Sequence, residues 1–158
     1  MPLELTSPVF DAGEVIPRRY ASDSHDVSPP LAWHSVPEGT KSFAILLDSR
    51  NGGEARNHWI IFDIYGDIRE LPEHVPHQDT LPQWTHEGIS VRQGTNDFGR
   101  VGYYGPVPSM KPPHENTFTL YALDAQIHAA PGCRKEELLA AMEGHILEYA
   151  ELIGIYTA

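Results

Sequence analysis

Over its first three quarters the chain is a succession of short apolar runs, each closed off by Pro, Gly, Asn or Asp before a helix of ordinary length can form. That punctuation predicts a sheet protein with long connecting loops. Phe43, Ala44, Ile45, Leu46 and Leu47 form a continuous apolar run too short for a typical helix, the pattern of a strand buried on both faces, and residues 59–65 read the same way. Residues 117–123 alternate instead: Phe118, Leu120 and Ala122 share one face, and Thr117, Thr119 and Tyr121 the other. Between these strands lie loops rich in breakers, Ser28-Pro29-Pro30, Asn51-Gly52-Gly53 and the segments 71–82 and 102–113, where ligand sites are often built.

The pattern changes after Pro131-Gly132. Leu138, Met142, Ile146, Tyr149 and Ile153 recur at spacings of three and four, which predicts one apolar helical face, with Glu136 and Glu137 in the first turn where the helix dipole favours negative charge. Gly144 is expected to bend this helix rather than end it. There is no internal repeat and no second composition regime, so 1–158 is expected to be a single domain; 158 residues, 41% of them apolar, suffice for a substantial core.

A formal charge of −11 and the absence of any Lys/Arg cluster argue against nucleic acid as a partner. The nine His residues make that charge sensitive to pH near neutrality. Cys133 is the sole cysteine, which excludes an internal disulfide and suits a reducing compartment. With no leader-like N-terminus and no apolar stretch long enough to cross a bilayer, the expected location is the cytoplasm.

Several segments together resemble one family. Asp26-Val27-Ser28-Pro29-Pro30-Leu31-Ala32-Trp33 and the stretch from Val36-Pro37 to Ser42-Phe43 come first, followed by His58-Trp59, Asn96-Asp97-Phe98-Gly99-Arg100, Gly102-Tyr103, Gly105-Pro106, His114 and the run from Lys135 to Leu147. In this order they resemble the phosphatidylethanolamine-binding (Raf kinase inhibitor-like) proteins in their bacterial and archaeal branch, over nearly the whole chain. The resemblance implies a mainly β fold, a large antiparallel sheet packed on a smaller one as a β-sandwich, with short C-terminal helices. It also implies a small anion pocket for phosphate-like groups or phospholipid headgroups. His58 and His114 would face each other across it, Tyr103 and the loop from Gly105 to Pro108 would line it and offer backbone N–H donors, and Asp48 is a further candidate ligand residue. An anion there would push both His toward the charged form and bind more tightly as pH falls.

The chain departs from the family at both of its recognisable motifs. Where the family has Asp-Pro-Asp-Ala-Pro, this chain reads Leu47-Asp48-Ser49-Arg50-Asn51-Gly52-Gly53. Without gaps, Ser49 and Asn51 stand at the two acidic positions; shifted by one residue, Asp48 and Arg50 do, and both registers remain open at this level. The family's His-Arg-Tyr becomes His114-Glu115-Asn116, which suggests an ion pair of reversed polarity between Arg50 and Glu115.

Other candidates carry less. Pro76 forbids the helix that would bring His74 and His77 to one metal. Asp97-Phe98-Gly99 echoes a kinase motif whose other parts are missing. No Gly-x-Ser-x-Gly elbow occurs and no Ser–His pairing is visible. Cys133, at a helix entrance, is either a reactive thiol or a packing residue, and His145 lies near the pocket or makes a helix-end contact. Trp33, Trp59 and Trp84 are expected to pack with their indole N–H groups satisfied locally. The expectation is a non-enzymatic binding module without metal or cofactor, whose partners are a small anion or headgroup and, through the pocket rim, a kinase or protease. Homodimerisation rests on the resemblance alone. The alternative is a phosphoester hydrolase using the same His residues, disfavoured by the loss of both carboxylates at the gap-free positions.

Overall fold

The computed structural model describes residues 1–51, 54–107 and 114–156, with the backbone alone described at 51, 54 and 114. Among the described residues nine strands and one α-helix follow in the order β1 (Glu4–Thr6), β2 (Leu31–His34), β3 (Ser42–Asn51), β4 (Glu54–Tyr65), β5 (Glu70–Leu71), β6 (Thr80–His86), β7 (Ile89–Gln93), β8 (His114–Leu123), α1 (Lys135–Met142) and β9 (Ile146–Tyr156). Six strands form a large antiparallel sheet in the order β6-β7-β4-β3-β8-β9, and β1-β2-β5 form a small one. The expected mainly β architecture, a large sheet on a smaller one, is what the chain adopts. No helix among the described residues is long and apolar enough to cross a membrane.

The apolar run in β3 is continuous because both of its faces are covered. Phe43, Ile45 and Leu47 pack toward the small sheet with Leu5, Leu31, Trp33 and Leu71. Ala44 and Leu46 pack on the other side with Leu138 and Met142 of α1. In β8 the alternation holds: Phe118, Leu120 and Ala122 join the inter-sheet core. Trp33 Nε1 donates to the Ile68 carbonyl and Trp59 Nε1 to Gln93 Oε1, so both buried indoles find partners nearby.

The C-terminal segment corrects the sequence reading. The helix ends at Met142, and Gly144, at φ +83°, takes the left-handed conformation that terminates helices. The eleven residues Ile146–Tyr156 are β9, whose buried residues Ala150, Leu152, Gly154 and Tyr156 recur with a period of two. Ile146, Tyr149 and Ile153, assigned by spacing to a helical core face, are exposed on this strand. Cys133 belongs to the core beneath α1, and burial pushes its thiol up to about 11. Desolvation, with the charge of Glu137 adding to it, disfavours the thiolate, and the residue packs as part of that core.

Candidate functional site

The site grows from an irregularity in β4. Its register against β3 runs Leu47 with Trp59, then Asp48 with Asn57, leaving His58 without a partner. One extra residue in a strand bends it and re-aims a side chain, a device common beside functional sites. Here it brings His58 to Ser49, with Nε2 2.7 Å from the serine Oγ.

His58 is only 1% exposed, and both ring nitrogens are engaged. Nδ1 lies 2.8 Å from the Tyr104 carbonyl oxygen and 3.1 Å from that of Gly105. Carbonyls only accept, so Nδ1 carries the proton, and in the neutral ring Nε2 offers a lone pair to the Ser49 hydroxyl. Burial lowers the imidazole's pKa; the bonds to Tyr104 and Gly105 and the charges of Asp48 and Asp97 pull the other way without prevailing. The ring is therefore neutral at neutral pH. Phe98 meets it edge-on at 4.9 Å between centroids and stacks on Tyr104 at 4.4 Å.

The loop that supplies this wall is held by its own amides. Asn96 Oδ1 accepts the N–H groups of Phe98 and Arg100, while its Nδ2 donates to the carbonyls of His58 and Gly102. The Tyr104 N–H returns a bond to the His58 carbonyl. Gly105 passes so close to the chain near Tyr20 that a Cβ would stand 2.1 Å from the Tyr20 carbonyl oxygen. Only glycine fits there, and this approach sets the carbonyls that fix the His58 tautomer.

Across the sheet, Ser49 is directly paired with Arg56 on β4 and with Asn116 on β8, so the three occupy one row on one face. Ser49 is half-buried, Asn116 buried and Arg56 exposed. The Arg56 guanidinium lies 5.9 Å from the Phe98 ring centre, and that of Arg100 5.0 Å from Tyr104. The row and its aromatic wall thus combine a hydroxyl, a neutral imidazole, an amide and two cations.

The sequence-based site is only partly assembled as expected. His58 occupies its centre but is sealed, reaching outward through Ser49 rather than presenting its own edge. His114 opens β8 opposite Tyr156, two residues along the strand from Asn116; its side chain is outside the described residues, as is all of Pro108. Tyr103 is buried against Trp59, its hydroxyl donating to the Tyr20 carbonyl, and its neighbour Tyr104 stands by the histidine. The Gly105 N–H is spent on Asp26 Oδ1 at 2.7 Å. Asp48 has its carboxylate bonded by Lys135 Nζ at 3.0 Å and Asn57 Nδ2 at 3.2 Å. Arg50 and Glu115 are cross-strand partners, but among the ion pairs of the described residues none joins them, which overturns the reversed-polarity bridge. His145 bonds Asp124 Oδ1 at 2.8 Å, and His77 donates to the Tyr103 carbonyl at 3.0 Å. The Ser49–His58 pair was missed. Its available signal was the gap-free count that puts Ser49 at an acidic position of the family.

Comparison with known proteins agrees with this architecture. The phosphatidylethanolamine-binding protein family matches residues 6–157. A UPF0098 protein of Methanothermobacter thermautotrophicus is 42% identical over 155 residues, covering 98% of each chain. The crystal structure of a putative phosphatidylethanolamine-binding protein homologue, CT736, from Chlamydia trachomatis superposes with a TM-score of 0.84 at 32% identity, covering 99% of this chain and 98% of that one. YBCL of E. coli, described as a member of the mammalian PEBP family, shares the fold at a TM-score of 0.85 and 24% identity, covering 100% and 99%.

Proposed function

Because the chain belongs to the phosphatidylethanolamine-binding protein family, we propose that it is a cytoplasmic binding module that receives a small anion, free phosphate or the phosphate of a lipid headgroup, beside Ser49 and His58. The observation that carries this reading is the Ser49–His58 contact, with Arg56 as the cross-strand partner of Ser49, in a protein of net charge −11. Arg56 brings positive charge to this row, while Asp48 and Asp97 act on His58 with the opposite sign, so the anion would be held by the hydroxyl and the protonated imidazole against a field that otherwise repels it.

The chemistry couples binding to a proton. In the neutral ring Nε2 accepts from Ser49. Once protonated, Nε2 donates to Ser49 Oγ, and the hydroxyl is free to rotate and donate to an anion oxygen. An anion therefore raises the His58 pKa, opposing burial, and by linkage binds more tightly as pH falls. Occupancy of the site is the signal, passed to a protein partner such as a kinase or protease at the pocket rim.

The test is a thermal shift with inorganic phosphate and with phosphoethanolamine, each at pH 6 and pH 8. Stabilisation by either ligand, larger at pH 6, supports the reading; no stabilisation, or a larger one at pH 8, removes it. A gain with phosphoethanolamine over phosphate identifies the headgroup as the better ligand.

A further inference from the structure

We propose that Ser49 is an activated nucleophile, with His58 as its base, toward the carbonyl carbon of small aryl or short-chain carboxylic esters. The inference uses the residue pair of the preceding section but does not require anion binding.

Three features meet the demands of such a pair. The hydroxyl and the acceptor nitrogen are 2.7 Å apart, within the range for direct proton transfer. A third group orients the base, here the Tyr104 and Gly105 carbonyls, which hold the Nδ1 proton in place as a carboxylate does in the serine triads. Finally, the base is sealed at 1% exposure while the nucleophile is half-buried, so only the serine oxygen can meet a substrate. The stacked Phe98 and Tyr104 rings form an apolar wall beside it for an aryl or acyl group. Ser49 sits in a row with Arg56 and Asn116 as its cross-strand partners, so the positive charge of Arg56 is on the strand next to the nucleophile.

The step balances without a co-reactant other than water. Ser49 Oγ bonds to the ester carbonyl carbon as its proton passes to His58 Nε2. The alcohol or phenol then leaves, taking that proton, and Ser49 holds the acyl group. Water gives a proton to the same nitrogen and attacks the acyl carbon, releasing the carboxylic acid and restoring both groups.

A serine that merely satisfies a buried imidazole would share the distance but not the reactivity. The discriminating experiment incubates the folded protein with a fluorophosphonate probe and with p-nitrophenyl acetate, locating any adduct by peptide mass spectrometry. Ser49 should carry the adduct, Ser49→Ala should abolish it, and Ser49→Cys should restore acylation by the acetate. His58→Gln, checked for folding by its melting curve, should slow labelling on the order of a hundredfold. The wild-type rate should rise to a plateau as His58 loses its proton. Labelling spread over other serines, or labelling unchanged in Ser49→Ala, would overturn the assignment. Phosphate protection of Ser49 would place the proposed anion at the same hydroxyl. Labelling without protection leaves the nucleophile standing and counts against the anion reading.

Discussion

Two rows of side chains on the same face of β4, β3 and β8 make an instructive pair. In the first, Trp59, Leu47 and Phe118 are directly matched across the strands and fully buried. In the second, two residues further along β3, the matched residues are Arg56, Ser49 and Asn116. Between them the unpartnered His58 shifts β4 by one residue. The first row gains from filling space, so shape and area determine its residues. The second gains from hydrogen bonds and charge, and its members matter by what they donate and accept. One strand set thus carries scaffold and site side by side, and a single bulge separates them.

The largest effect should come from breaking the first row. Phe118 is 0% exposed and packs against Phe10 at 6.1 Å between centroids. Phe118→Ala should cost about 3–5 kcal/mol of folding stability, measured by denaturant unfolding. A loss below about 1 kcal/mol would mean that the core closes over the gap, and that the row is less tightly packed than its burial implies. Gly105→Ala comes next. Its new methyl meets the Tyr20 carbonyl oxygen, and backbone must move to admit it, at roughly 1–3 kcal/mol. Because the Gly105 carbonyl faces His58, the same variant should also raise the exchange rate of the Nδ1 proton, observable by imidazole NMR. A loss of stability with the Nδ1 signal unchanged would show that the loop shifts without disturbing the histidine.

This contrast also explains what the amino-acid pattern revealed. Residues buried on both faces announce themselves, and the run from Phe43 to Leu47 needs no further context. The β9 segment does not, because its outward positions are themselves apolar. Ile146, Tyr149 and Ile153 then fall in helical step with Leu138 and Met142, although the backbone leaves the helix at Glu143 and turns at Gly144. At the site, His58 was legible from its place in the resemblance. Its partner was not, since a one-residue bulge leaves no mark in the sequence yet decides which side chain of β3 the imidazole meets. Tyr103 and Tyr104 show the same limit: adjacent residues in a loop point opposite ways, one into the core and one beside the histidine.

The second row should reveal itself in pH dependence. The unfolded chain takes up a proton at His58 as pH falls through about 6.5, whereas burial holds the folded pKa below that value. Between the two pKa values the unfolded state binds more protons, so His58 contributes a loss of stability as pH falls through this window and no dependence above it. Asp26 and Asp63, whose pKa values burial raises, act with the opposite sign as pH falls toward the ordinary carboxylate range. The drop in melting temperature from pH 7.5 to pH 5.5 should therefore be smaller in His58→Gln than in the wild type. An equal drop in both would assign the dependence to other groups.

The smallest expected effect sharpens the distinction between the two sides of β3. Asp48 neighbours Ser49 in sequence, yet its carboxylate is bonded by Lys135 of α1. The pair is partly exposed, so Lys135→Ala should cost no more than about 1 kcal/mol. Its more telling consequence is electrostatic. Asp48 already pulls the His58 pKa upward, and without the lysine its charge is less balanced, so the imidazole should titrate at a higher pH. NMR titration of His58 in Lys135→Ala reads that shift directly. If the pKa moves up while Ser49 remains as reactive as in the wild type near pH 8, Asp48 acts on the site through space from the helix side. A loss of Ser49 reactivity at that pH would instead make the Asp48–Lys135 pair part of the second row's architecture.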